Sequence, residues 1–141
     1  MRTPANSTIP NKSHDEVRDS VKVLEECINL QISKSQDYQA DVSEVNQADY
    51  YLSGIDTIYE IMHAKMLRIR SVQDKARAGY GTNHESLEDS YKDLINYASF
   101  AVSYLRGTMD GQALNRDMFN RPLNFGTYSA TSNITNSTTE I

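Results

Sequence analysis

The 141-residue sequence contains one cysteine, Cys27, and no apolar run near the ~20 residues that are needed to cross a bilayer. A single cysteine cannot form a disulfide within the chain. Its place in an apolar helical stripe is typical of a small buried hydrophobic residue. We also expect no signal peptide before the domain. These absences predict a soluble, cytoplasmic protein that has no membrane partner.

Positive charge is scarce as well. Lysine and arginine together number 14 against 19 aspartates and glutamates, which gives a formal net charge of −5. Such a chain offers no broad basic surface, so we expect no nucleic-acid partner. The sequence also lacks an internal repeat, a glycine-rich phosphate loop, a nucleophile elbow and the cysteine and histidine spacing of a zinc site. Several common classes of enzyme and binding module are therefore excluded.

Strand signals are nearly absent, and apolar residues recur at three- and four-residue steps. This periodicity predicts an all-α antiparallel bundle of three long helices at about 14–33, 55–75 and 85–106. Ser13 and Glu16 form a capping box for the first helix, and the polar run after Ser33 closes it. Gly107 is a natural stop for the third helix. Residues 39–53 are expected to form a loop with one or two helical turns, which leaves room for a short fourth helix.

The apolar stripes are expected to face the core. In the three helices, respectively, they comprise Val17, Val21, Leu24, Cys27 and Ile28; Ile55, Ile58, Tyr59, Met62, Met66 and Ile69; and Leu87, Tyr91, Leu94, Ile95, Ala98, Val102 and Leu105.

Composition divides the chain into an N-terminal arm (1–12), a helical domain (13–107) and an extended C-terminal tail (108–141). The isolated apolar pairs of the tail suit anchors that press into another surface, so residues 114–128 are expected to dock on the helical body or on a neighbouring subunit. A disordered tail without contacts is the alternative. Three amphipathic helices bury only a modest core, which favours a homo-oligomer.

The third helix carries an acidic strip of Glu85, Asp89 and Asp93 beside its apolar stripe. Carboxylates one turn apart repel each other, and a bound cation would turn that cost into a gain. Glu60, Asp89 and Asp93 are therefore candidate Mg²⁺ ligands, with Glu25 or Glu26 as further candidates. The alternative is that these acids are the solvated faces of surface helices.

Three further side chains have two interpretations each. Lys65 and Arg68 project from one side of the second helix, where they could neutralise phosphates or simply extend to solvent from a packed helix. His63 could bind a metal, act as an acid or base, or be structural. Tyr38 could stack on a base or close the core. Periodicity alone does not choose between these.

Three runs in this order resemble a known family: Lys34–Tyr38, Lys65–Ile69 and Glu85–Ala98. The first has Lys-x-x-Asp-Tyr, the second Lys-x-x-Arg, and the third Glu-Ser-x-x-Asp-x-x-x-Asp-Leu-x-Asn-Tyr-Ala. This series resembles the "nucleotide modification associated" domain family of phages and bacteria. That family is similar to the all-α MazG-like nucleoside triphosphate pyrophosphohydrolases. The resemblance covers about residues 17–106, and its third run is the most specific.

The resemblance implies a nucleotide partner and a Mg²⁺ cofactor. The residues that it assigns to nucleotide binding are Lys34, Asp37, Tyr38, Lys65, Arg68 and Asn96. Metal binding would fall to Glu60, Asp89 and Asp93. Two departures matter: Ala64 replaces the acid that precedes the lysine of helix two, and the Glu-x-x-Glu pair of MazG-like enzymes is represented at best by Glu60 and His63.

Three functions follow as hypotheses. The first is Mg²⁺-dependent cleavage of a nucleoside triphosphate to a monophosphate and pyrophosphate. The second is a nucleotide-binding module that does not hydrolyse its ligand, which the missing acid favours. The third is a structural or interaction protein of a phage particle, which the long polar ends favour. A phage-encoded protein would act in the host cytoplasm, or in the virion under the third hypothesis.

Overall fold

The computed structural model describes residues 16–38, 42–81 and 84–123, without the side chain of Tyr38. Within these residues the protein is all-α: α1 (Asp19–Tyr38), α2 (Ile55–Arg77) and α3 (His84–Leu105) pack together. A short 3-10 helix, Gln47–Tyr50, precedes α2. The predicted fold class and the helical turn within 39–53 are confirmed. A search of the described helices finds none that is long and apolar enough to cross a membrane.

The boundaries of α1 differ from the prediction. The helix begins at Asp19 instead of about 14, and the N–H groups of Val21 and Lys22 both bond to the carbonyl oxygen of Arg18. The predicted cap, Ser13, lies outside the described residues. At the other end, the polar run expected to close the helix forms its last turns, up to Tyr38. Lys34, the first residue of this run, contacts Asp93 on α3 at 3.3 Å, which stabilises those turns.

Glycines end the other two helices. Gly107 has a φ of 74°, its N–H bonds to the Tyr104 carbonyl at 3.0 Å, and the Thr108 N–H bonds to the Ser103 carbonyl at 3.3 Å. This pair of bonds is the Schellman arrangement, which satisfies carbonyls that the helix end leaves open. Gly79, with a φ of 93°, follows α2 in the same way. The stop predicted at Gly107 is confirmed.

The contacts divide the chain into two units. The first comprises Met1–Glu44 and Met62–Ser99, and the second comprises Val45–Ile61 and Phe100–Ile141. Most of the predicted site residues fall in the first unit, which is built from α1, most of α2 and most of α3.

In the first unit α1 and α3 run in the same direction. The Cys27 thiol donates to the Lys92 carbonyl at 4.0 Å, and one turn further along both helices Gln31 donates to the Asn96 side chain at 2.9 Å. Burial raises the pKa of the Cys27 thiol. Cys27 is 2% exposed, so it packs as a small hydrophobic residue, as predicted.

Helix α2 runs in the opposite direction to α3. Lys65 contacts Asp93, whereas the later residue Gln73 accepts a hydrogen bond from the earlier residue Tyr91 at 2.6 Å. Successive helices are therefore antiparallel, as the sequence predicted. The register set by these contacts determines which polar side chains meet.

The core is small and does not use the whole of each predicted stripe. Ile69 in the first unit and Ile58 in the second are almost fully buried, at 2% and 0% exposure. Leu24 and Ile28, which were expected to face inward, are each about half exposed. Helix α1 instead turns Cys27 and Gln31 toward α3. This side of α1 is more polar than the stripe that periodicity selected.

In the second unit the segment after α3 packs against the start of α2. The Ile55 N–H donates to the Met118 carbonyl at 2.9 Å, and the Asn120 amide donates to the Leu52 carbonyl at 2.9 Å. Docking on the chain itself, one of the two arrangements expected, is confirmed for this part of the tail. The expected apolar anchors Met118 and Leu123 remain 45% and 36% exposed, so these hydrogen bonds are the contacts that hold the segment. Residues 124–128 lie outside the described residues.

Asp117 organises the turn that makes these contacts. Its carboxylate accepts hydrogen bonds from the backbone N–H groups of Arg121 and Phe119, both at 2.9 Å, and from the Arg121 guanidinium at 2.8 Å. These bonds, with the Arg121 backbone bond the largest contribution, lower the pKa of Asp117. The turn is thus held by its own side chains.

Candidate functional site

Three of the predicted site residues meet in the first unit. Lys34 from α1 and Lys65 from α2 each place their Nζ atom 3.3 Å from a different oxygen of Asp93 on α3. The sequence assigned the lysines to phosphate binding and Asp93 to a metal. The structure places two cations on one carboxylate, so the cluster carries a net positive charge when all three are ionised.

Lys65 is the more buried of the two lysines. Its side chain is 16% exposed, compared with 54% for Lys34 and 28% for Asp93. The Lys65 Nζ atom also lies 5.0 Å from the centre of the Tyr97 ring, a cation–π contact. A partly desolvated ammonium group interacts more strongly with an anion than one in water does. Lys65 is therefore the stronger of the two candidate anion-binding groups.

A network of amides lies one helical turn beyond Asp93. Gln31 Nε2 donates to Asn96 Oδ1 at 2.9 Å and to Ser99 Oγ at 2.8 Å, and Ser99 Oγ donates to the Asn96 backbone carbonyl at 2.6 Å. Asn96 is 7% exposed and is the buried polar residue of the described chain. Both N–H bonds of the Gln31 amide are used within this network.

The Asn96 amide has unused capacity. Its oxygen accepts from Gln31, whereas its Nδ2 group donates no hydrogen bond within the described ranges. Buried amide groups normally find partners, and leaving one unpaired costs about 1–3 kcal/mol. Two hydrogen-bond donors are thus available beside the lysine cluster.

A second ionic cluster joins α1 to α3. Lys92 Nζ lies 2.7 Å from Glu26 and 2.9 Å from Glu88. The hydrogen bonds to Glu26 and then to Glu88 raise the pKa of Lys92. Glu26, which the sequence offered as a further metal ligand, therefore neutralises a lysine in this structure.

The predicted metal ligands occupy different environments. Glu60 and Asp89 are exposed on α2 and α3, while Asp93 is held by the two lysines. Among the described residues, no group of three or more histidine, cysteine, aspartate or glutamate side chains could hold a metal ion. The described residues therefore do not form a ready cage for Mg²⁺.

The remaining candidates lie on the surface or outside the described side chains. Asp37, Arg68 and His63 are exposed. Tyr38 is the last residue of α1, and its side chain is among those not described. Ala64, at the position of the missing family acid, is exposed on α2.

Sequence reasoning missed Gln31 and Ser99. Gln31 lies four residues after Cys27, so the two share one face of α1. A polar amide that follows a buried cysteine by one turn was a usable signal. Ser99 carried none, because it is exposed and lies in a run of small and apolar residues.

A shallow pocket of about 480 Å³ lies elsewhere, at the carboxyl end of α2, and includes Leu67, Arg70, Lys75 and Tyr80. None of the predicted site residues is among its lining residues. The lysine and amide groups around Asp93 and Asn96 lie away from this pocket and remain the candidate site.

Comparison of the chain with protein-family models, with curated proteins and with solved structures finds no match.

Proposed function

We propose that this chain binds a nucleotide, with Lys34 and Lys65 on its phosphate groups and Asn96 beside them. The observation that supports this proposal is the convergence of two lysines from different helices on the single carboxylate of Asp93. A carboxylate and a phosphate present similar anionic oxygens to an ammonium group. Asp93 thus occupies, in this state, a position that a phosphate oxygen would suit.

Charge favours an anionic ligand at this cluster. Asp93 balances one of the two lysines and leaves one positive charge, which is shared between Lys34 and the mostly buried Lys65. The neighbouring Asn96 amide adds two uncharged donors. An anionic group joined to a hydrogen-bonding group is the chemistry of a nucleotide, and it agrees with the family that the three sequence runs resemble.

Titration calorimetry with ATP and UTP, each with and without Mg²⁺, tests the proposal. We expect Lys65→Ala to weaken binding about 10- to 100-fold, because a hydrogen bond to a charged group contributes about 1.5–3 kcal/mol. Lys75→Ala, which removes an exposed lysine from the same helix, is the matched control and should bind as the wild type does. Equal affinities of the two variants, or no binding by the wild type, would contradict the proposal.

Hydrolysis is the further activity that the resemblance implies, and it stays a prediction. The same samples, analysed for monophosphate and pyrophosphate, test it directly. Asp93→Ala adds a second comparison. If Asp93 binds Mg²⁺, this change removes any enhancement of nucleotide binding by the ion. If Asp93 only balances the lysines, the change strengthens binding in the absence of Mg²⁺.

We also propose that the chain associates with a second copy. Leu24, Ile28 and Ile32 follow one another at four-residue steps on α1 and are 50%, 55% and 53% exposed. The described chain buries few large side chains fully, so a partner that covers this stripe would add to a small core.

Sedimentation at micromolar concentration tests self-association. A dimer or larger assembly is expected for the wild type, and Ile28→Glu should shift it toward monomer, because a charge cannot be buried unpaired without a large cost. Val42→Glu introduces the same charge at a 93% exposed position outside α1 and should leave the assembly unchanged. A stable wild-type monomer would exclude this proposal.

A further inference from the structure

In the amide network beside the lysine cluster, the donor and the acceptor of each hydrogen bond are fixed. Ser99 has one hydroxyl proton, and it goes to the Asn96 backbone carbonyl at 2.6 Å. The Ser99 oxygen can therefore only accept from Gln31, which lies 2.8 Å away. Gln31 must accordingly present its NH₂ group, not its oxygen, to this side of the network.

The orientation of Gln31 fixes that of Asn96 in turn. Because Gln31 donates, Asn96 must offer its oxygen across the 2.9 Å contact. The Asn96 NH₂ group then points away from Gln31, and in the part of the chain that the structure describes it meets no acceptor. Exchanging the nitrogen and oxygen of Asn96 would place two NH₂ groups against each other. The free capacity of this buried side chain is therefore that of a donor.

Burial decides which acceptor suits this donor. Asn96 is 93% buried, since 7% of its surface is exposed. A phosphate brought there would lose its hydration without gaining a cation, whereas a neutral carbonyl oxygen loses much less. The anionic part of a ligand has Lys34 of α1 and Lys65 of α2, which meet at Asp93, one turn before Asn96 on α3. The uncharged acceptor and the anionic group would thus be parts of the same molecule.

We propose that Gln31 and Ser99 are positioning residues that hold the Asn96 amide as a donor. This donor selects nucleotides whose base carries a carbonyl oxygen over nucleotides whose base carries an amino group at the same place. This inference rests on the proposed nucleotide binding and deepens it. The preference for a carbonyl base over an amino base then depends on the orientation of the Asn96 side-chain amide.

Two pairs of triphosphates test the selection, because the members of each pair differ in a carbonyl or amino group: UTP against CTP, and ITP against ATP. Calorimetry on the wild-type chain should show the carbonyl member of at least one pair binding about tenfold more tightly, the usual scale for one hydrogen bond gained or lost.

The decisive variant is Gln31→Glu. A carboxylate accepts where the amide donated, so Asn96 must rotate to donate its NH₂ to Glu and present its oxygen to the ligand. The preference within the discriminating pair should then reverse in favour of the amino member. The ratio of affinities is the readout, because the added negative charge weakens both members alike.

Two further variants separate this effect from charge and from folding. Gln36→Glu adds the same charge at an exposed position on α1 and should leave the ratio as in the wild type. Ser99→Ala removes an exposed hydroxyl that fixes Gln31 and should bring the ratio close to one with helicity unchanged. It also keeps the inference testable if Gln31→Glu does not fold.

The outcomes distinguish base selection from the nucleotide binding on which it rests. Equal affinities within both pairs for the wild type, or a ratio that Gln31→Glu and Ser99→Ala leave unchanged, would overturn the selection while nucleotide binding stood. Failure of all four triphosphates to bind, or binding that Lys65→Ala does not weaken, would overturn both.

Discussion

Replacing Gly54 with alanine is expected to lower the free energy of unfolding by about 2–5 kcal/mol. Gly54 has a φ of 57°, where a residue with a Cβ atom is disfavoured by about 1–2 kcal/mol. A Cβ atom there would also clash with the Met118 carbonyl oxygen and lie 2.9 Å from Tyr104 Cε1. Relieving that overlap costs about another 1–3 kcal/mol, because the backbone around Met118 must move.

Urea unfolding, followed by circular dichroism, measures the loss. Gly107→Ala is the matched control, since Gly107 lies in the same unit, has a φ of 74° and has no heavy atom within 4 Å of the added Cβ. It should show only the conformational cost. Hydrogen exchange adds a local readout: the Ile55 amide, which bonds to Met118, should exchange faster in Gly54→Ala alone. Equal destabilisation by the two variants would show that the close approach of the Met118 backbone contributes nothing.

Replacing Ile69 with alanine should destabilise the protein by a similar amount, about 2–5 kcal/mol. Ile69 is 2% exposed and is the most buried large side chain among the described residues of the first unit. Truncation removes apolar surface from the core and leaves a cavity that close-packed neighbours fill only in part. Ile69 also follows Lys65 by one helical turn, so relaxation into the cavity is expected to loosen the Lys65–Asp93 contact.

Leu67→Ala is the control, because Leu67 lies two residues away on α2 and is 55% exposed. It should cost less than about 1 kcal/mol, since surface substitutions away from special features have small effects. Thermal unfolding compares the two variants directly. If the proposed nucleotide binding holds, nucleotide affinity reports on the Lys65–Asp93 contact. If Ile69→Ala is no less stable than Leu67→Ala, Ile69 does not pack in the core as described.

The helices that sequence predicted best are those with strong apolar periodicity and a glycine at the end. Helix α2 was expected at about 55–75 and spans Ile55–Arg77, and α3 was expected at 85–106 and spans His84–Leu105. Backbone conformation explains this success. A glycine with positive φ closes each helix, and that requirement is visible in the residue type itself.

Helix α1 was misplaced because its limits depend on other helices. The run from Lys34 to Tyr38 is polar and has little to bury, so nothing local requires it to continue the helix. Contacts from Gln31 and Lys34 to α3 extend it to Tyr38. The same contacts turn the Cys27 and Gln31 face inward and leave Ile28 half exposed. Periodicity detects the apolar stripe, but it does not show which neighbour a helix meets.

The sequence identified most residues of the candidate site, but it did not show which of them contact one another. Lys34, Lys65 and Asp93 were all identified from their runs, yet the two lysines and the acid were assigned to different ligands. Their meeting depends on the register of three helices, which no single run contains. Gln31 was missed for the same reason, because its role exists only opposite Asn96 and Ser99.

The contrast between a negatively charged chain and the positive cluster of Lys34, Lys65 and Asp93 has a kinetic consequence. The chain as a whole carries a formal net charge of −5, so a nucleotide that binds as proposed would be repelled at long range and attracted near Lys34 and Lys65. Ions screen the long-range repulsion beyond about 8 Å at physiological ionic strength. They also compete for the lysines once the ligand is bound. Added salt should therefore speed both arrival and departure of the ligand, so the residence time falls more steeply than the affinity does.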